Sequence, residues 1–215
     1  MKRGFMAALL ALAVTAALPA VSFAVPVPAK VPAKPAPKAP AKPDASGIVK
    51  VELDTTKGPI IVALETKKAP ITTANFLRYL DAGKLVGAPF WRAAHSGDTG
   101  FIQATMKAPT FPPIAHEPTS KTGLSHVNGE LSMSRFDVGT ATADFVICIG
   151  DNTYMDAGHH NPADNQGYAA FGHVVSGMNV VRSIQSGRID KHTGPGGWKG
   201  QMLAKPILIT AAKRL

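Results

Sequence analysis

Four polar side chains interrupt otherwise apolar runs in this 215-residue chain: Arg92 in FWRAA, Gln103 in FIQAT, Arg135 after GELSMS, and Asp144 at the head of DFVICIG. An arginine keeps its proton at any ordinary pH, so a cation set beside Phe90 and Trp91 needs partners or a task. Two readings are open for Arg92. One is a structural arginine paired with a carboxylate; the other is a hydrogen-bond donor at the rim of an apolar pocket. Other chemistries lack their residues. No G-x-S-x-G elbow presents a serine nucleophile. His159 and His160, with Asp156 and Asp164 nearby, match no common metal-ligand spacing. GPGGWKG (194–200) has neither the spacing nor the Ser/Thr of a phosphate loop, and no carboxylate pair offers acid–base work. Cys148, the only cysteine, is flanked by Val146, Ile147 and Ile149, which reads as a buried, inert thiol.

The elements that must position these residues are short. IVKVELDTTKGPIIVALET alternates apolar and polar residues on both sides of Thr56-Lys57-Gly58, the pattern of a β-hairpin. Pro70 opens a helix carrying Thr72, Thr73, Phe76, Leu77 and Leu80, closed by Gly83. Strands are expected at 101–105, 129–134, 144–150, 168–175 and 207–212. A second helix, MNVVRSIQS, is bounded by Gly177 and Gly187. Strand and helix do not alternate over long stretches, which disfavours a doubly wound parallel sheet. The expected fold is mainly β, a closed antiparallel barrel with two helices covering its open ends.

Residues 1–24 follow a different logic. Lys2 and Arg3 precede the apolar FMAALLALAVTAALPAV, and Ser22-Phe23-Ala24 places small residues where a signal peptidase acts, so a signal peptide is expected. Residues 25–47, VPVPAKVPAKPAPKAPAKPDASG, form a Pro/Ala/Lys-rich linker with nothing to bury, and an extended, disordered spacer is expected there. The folded domain then runs over 48–215. Setting aside Lys2, Arg3, Lys30, Lys34, Lys38 and Lys42 from 23 basic residues, and Asp44 from 14 acidic ones, leaves 17 against 13. The high net charge is therefore mostly a tail property, and the domain carries no basic stripe of the kind that grips nucleic acid. One thiol permits no internal disulfide. An exported, periplasmic, monomeric protein without a membrane span after cleavage is expected.

The chain from about Val49 to Leu215 resembles the cyclophilin-type peptidyl-prolyl cis-trans isomerases, in particular the exported bacterial ones. KKAPITTANFLRYLDAG is similar to that family's first helix, FWR to its FHR, FIQ to its FMIQ, and PPIAHE to its PPI-x-x-E segment. GELSMSR, TATADFVICIGDNTYMD and GYAAFGHVVSGMNVV resemble the strands and second helix lead-in that follow. The resemblance implies an eight-stranded antiparallel barrel capped by two α-helices, with neither cofactor nor metal. It implies proline-containing segments of unfolded or partly folded exported proteins as substrates, and Arg92 as the catalytic residue. It places Phe101, Gln103, Ser134, Arg135, Asp144, Phe145, Val146, Tyr154, Met155 and Tyr168 at the substrate.

The chain also departs from that family. Trp91 replaces a histidine, Ala104 and Thr105 replace a glycine pair, and Asp144 replaces a glutamine, where it is positioned to pair with Arg92. Val146 stands where the family has the phenylalanine that floors the proline pocket, a loss of about 1–2 kcal/mol of apolar contact. Two alternatives to an active isomerase follow. One is a cyclophilin-fold binding or chaperone module with weak or no activity. The other is a structural role in which the lysine-rich tail tethers the domain to acidic envelope material, against a plain spacer.

Overall fold

The computed structural model describes residues 46–160, 162–194 and 198–215. The expected signal peptide, and the linker up to residue 45, lie outside the described residues. Alternation dictates the first hairpin. Val49, Val51 and Leu53 in β1 (Ile48–Thr55) and Ile60, Val62 and Leu64 in β2 (Gly58–Glu65) are all buried, and Thr55 pairs with Gly58 across a two-residue turn. The inward set after the turn is thus Ile60, Val62 and Leu64.

Helix α1 (Pro70–Asp81) starts on its proline and buries Phe76, Tyr79 and Leu80. Its N-terminus has no local side-chain cap. Glu117, 2% exposed, supplies one from a distant loop: its carboxylate accepts the Ile71 and Thr72 amides at 3.1 and 2.7 Å and the Thr72 hydroxyl at 2.6 Å. An anion there satisfies orphan donors and opposes the positive end of the helix dipole. That is the task of the glutamate in PPIAHE.

The remaining strands are β3 (Pro89–Ser96), β4 (Thr99–Thr105), β5 (Glu130–Met133), β6 (Asp144–Ile149), β7 (Ala169–Ser176), β8 (Ile189–Asp190) and β9 (Met202–Arg214). Their order is β1-β2-β7-β5-β6-β4-β3-β9, and β9 pairs back onto β1, closing an eight-stranded antiparallel barrel. The short β8 adds to β9. Helix α3 (Met178–Gln185) buries Val180, Val181 and Ile184 in the same core. The sequence leaves out β3, β8 and the one-turn helix α2 (Thr119–Thr122), and it underestimates β9. The barrel interior is aromatic: the Phe76 ring lies 5.4 Å from Phe145 and 5.5 Å from Phe171, and Phe90 lies 5.9 Å from Phe145. Among the described residues no helix is long and apolar enough to cross a membrane.

Candidate active site

The candidate site lies on the outer face of β3, β4 and β6. On β4 and β6 the pleat alone decides which residues reach it. Phe101 pairs with Cys148, Gln103 with Val146 and Thr105 with Asp144, while Ile102, Ala104, Phe145 and Ile147 between them face the core. Strand β3 needs more than alternation. Phe90 and Ala93 are both core residues, an odd spacing that no regular strand allows. The register shifts between Phe90 and Arg92 against both β4 and β9. This bulge puts Trp91 and Arg92 together on the outer face, with Arg92 opposite Gln103.

The resulting groove has a volume of about 570 Å³. One end is apolar: buried Val146, Cys148 and Met155 pack with half-buried Phe101 and Tyr168. The middle holds Arg92. Its Nη1 donates to Gln103 Oε1 at 2.9 Å and its Nε to Gln201 Oε1 at 2.8 Å. The rings of Phe101 and Trp198 lie 4.9 and 4.8 Å from the guanidinium carbon. Partial burial lowers the Arg92 pKa from its ordinary value, and the group stays a cation near neutrality. At the far end Trp91 Nε1 donates to Thr105 Oγ1 at 2.8 Å, and that hydroxyl in turn donates to Asp144 Oδ1.

The expected Arg92–Asp144 ion pair is not formed. Gln103 stands between them, accepting from Arg92 through Oε1 while its Nε2 reaches Asp144 Oδ1 at 3.5 Å. A neutral amide can accept on one side and donate on the other, so the cation and the carboxylate are linked without touching. Arg135 lines the groove, but its guanidinium is engaged elsewhere. It makes a bidentate pair with Asp164 at 2.7 and 2.8 Å and donates twice to the Gly167 carbonyl, at 3.0 and 2.6 Å. These hydrogen bonds pull the Asp164 carboxyl down to about 2. Gly167 sits at φ +60°, and a Cβ there would lie 2.5 Å from the Met155 carbonyl, so glycine is required where the loop passes the pocket.

Met155 and Tyr154 sit on a 3-10 turn (Thr153–Met155) held from beneath. Asp156 accepts from Ser125 Oγ at 2.5 Å and from the His126 backbone N–H at 3.0 Å, and lies 2.5 Å from His126 Nδ1. His126 Nε2 lies 2.8 Å from Ser132 Oγ. Burial lowers the His126 pKa. A neutral ring facing a carboxylate carries its proton on Nδ1, which leaves Nε2 to accept from Ser132. The order is that of a hydrolase triad, yet His126 and Ser132 are fully buried and neither lines the groove. Its work is to tie β5 to the turn bearing Met155.

Of the residues singled out in the sequence, Arg92, Phe101, Gln103, Ser134, Arg135, Asp144, Val146, Tyr154, Met155 and Tyr168 line this one groove. Phe145 does not. It is fully buried in the barrel against Phe76 and Phe90, and so is removed from the substrate set. Sequence reasoning missed Thr105, Phe136, Trp198 and Gln201. Trp198 and Gln201 come from the loop before β9, where a glycine-rich context carries no periodic signal. Cys148 is fully buried, and burial raises its thiol pKa well above the ordinary value, so it is no nucleophile. Among the described residues no three His, Cys, Asp or Glu side chains gather where a metal ion could be held.

On the outer face of a closed barrel, the groove thus sets an apolar pocket beside a guanidinium fixed by hydrogen bonds. Residues 48–213 match the family of cyclophilin type peptidyl-prolyl cis-trans isomerases, and the chain belongs to that family. Peptidyl-prolyl cis-trans isomerase A of Dickeya dadantii is 34% identical over 167 residues, which span 76% of this chain and 83% of that protein. A peptidyl-prolyl cis-trans isomerase of Streptomyces antibioticus is 32% identical over 169 residues, 77% of this chain and 98% of the other. The crystal structure of a cyclophilin type isomerase from Cryptosporidium parvum shares the fold, with a TM-score of 0.62 at 16% identity, covering 78% of this chain and 98% of that one.

Proposed function

We propose that Arg92 is the catalytic residue of this peptidyl-prolyl cis-trans isomerase. The prolyl ring would sit on Val146, Met155 and Phe101, and Gln103 would orient the peptide beside it. The chain's enzyme class is that of its family, and the reading as a binding module without catalysis is not favoured. The X–Pro bond is held planar by amide resonance, with a barrier of about 18–20 kcal/mol. As it twists, the nitrogen recovers its lone pair and becomes an acceptor. A guanidinium N–H aimed at that nitrogen forms a hydrogen bond available only in the twisted state, and only such differential contacts accelerate the step. No proton moves, and neither cofactor nor metal enters this reading.

One observation carries the assignment. Arg92 is held at 2.9 Å by Gln103 immediately beside the apolar end of the groove. Arg92→Ala should lower catalysed cis–trans exchange of a short proline peptide, measured by NMR exchange, by about 10²–10³-fold, the range seen when one oriented transition-state donor is removed. A parent-level rate in a folded variant would sink the assignment.

The substrates we propose are proline-containing segments of exported proteins that are unfolded or partly folded, met in the periplasm by a monomer. The leader-like residues 1–24 support export, and residues 25–47 act as a spacer ahead of a domain over 48–215. An N-terminus at Val25 in protein recovered from the periplasmic fraction is the expected result.

A further inference from the structure

The Arg92 guanidinium is gripped from two sides, and only one grip comes from the barrel wall. Gln103 on β4 takes one Nη1 hydrogen. The other grip comes from the loop between β8 and β9. There Gln201 Oε1 accepts the Nε–H at 2.8 Å, and the Trp198 ring lies 4.8 Å from the guanidinium carbon. These two loop residues are themselves fixed. Gln201 N donates to the Trp198 carbonyl at 3.0 Å, and Ala93 N, next to Arg92, donates to the Gln201 carbonyl at 2.9 Å. Trp198 also packs on Trp91 with ring centroids 5.9 Å apart. A guanidinium has five N–H groups in one plane. With Nε–H and one Nη1–H taken, both the position and the tilt of that plane are set, and three N–H groups remain for a ligand.

We propose that Trp198 and Gln201 are positioning residues that orient the Arg92 plane toward the prolyl nitrogen. The proposal rests on the reading of Arg92 as the catalytic residue. An arginine side chain has many rotamers, and one anchor leaves the plane free to swing about it. A second anchor at Nε and a ring against the cation remove that freedom before substrate arrives, so the hydrogen bond to the twisted bond needs no reorganisation.

The test is a set of variants in the full chain, assayed by NMR exchange on a proline peptide with the maximal rate and half-saturation separated. Trp198→Ala and Gln201→Ala should each lower the maximal rate about tenfold with little change in half-saturation, the size of one oriented hydrogen bond. Gln201→Glu should restore most of the rate, because a carboxylate accepts the same Nε–H. In an Arg92→Ala background neither alanine change should lower the residual rate further. The Arg92 Nε–Hε resonance should also move in Gln201→Ala without substrate present. Parent-level rates in both loop variants beside an impaired Arg92→Ala would overturn the proposal and leave Arg92 catalytic. The same losses persisting without Arg92, or appearing only as weaker binding, would make these residues substrate contacts instead. A parent-level rate in Arg92→Ala would remove the reading of Arg92 and the proposal together.

Discussion

Strand β6 has two faces that answer to different rules. Inward, Phe145, Ile147 and Ile149 join Phe76, Phe90 and Phe171 in an apolar barrel core. Outward, on the same strand, Asp144, Val146 and Cys148 face the groove side, where Asp144 takes a hydroxyl, Val146 floors a pocket and Cys148 is sealed beneath it. The inner face is made redundant by many mutual contacts, and its cost of change is counted in stability. The outer face is made of single contacts from separate elements, so its changes should be read in activity. One residue of shift along the strand exchanges one rule for the other.

The sharpest way to break that contrast is a pair of neighbours. Phe145→Ala should cost about 3–5 kcal/mol of folding stability in urea unfolding, as expected for a fully buried aromatic. Val146→Ala should cost no more than about 1–2 kcal/mol while raising the substrate concentration at half-saturation. If the two losses were equal, the outer face would belong to the core after all.

A second prediction extends the contrast to Glu130, a buried carboxyl in β5 with one oxygen lacking a hydrogen-bond partner among the described residues. Burial pushes it up to about 8. A folded pKa above the unfolded value means that the folded chain holds a proton the unfolded chain has released. That contribution is complete below about pH 4.5 and is lost as pH rises through about 8. Glu130→Gln should therefore gain roughly 3–4 kcal/mol on the parent between pH 5 and pH 9, seen in parallel unfolding series. Equal slopes for the two proteins would show that Glu130 is not buried as a carboxyl.

The smallest effect sharpens the pocket itself. Val146→Phe adds an aromatic floor on the outer face and should raise the catalysed rate at low substrate about fivefold, near 1 kcal/mol of added contact with the prolyl ring. A fall in that rate would mean that Met155 and Phe101 already fill the space.

Much of this was readable before any coordinates. The hairpin of β1 and β2 and helix α1 follow from alternation, from Pro70 and from Gly83. The inward position of Phe145 follows from the same alternation. With Asp144 polar and outward, a period of two already sends 145 inward and 146 outward. Glu117 and Gln201 gave no such signal, because each acts on a residue 45 or 109 positions away in the chain.

Local chemistry in the sequence therefore determined the faces of the regular strands, β3 excepted, both long helices and the type of residue at the site, since pleat and helix periods act over a few neighbouring residues. Tertiary structure alone decided three things. The bulge between Phe90 and Arg92 turned the arginine outward. Gln103 was interposed between Arg92 and Asp144. Trp198 and Gln201, just ahead of β9, were brought against the guanidinium. Each depends on which strands become neighbours and in what register, and that is fixed by closure of the whole barrel.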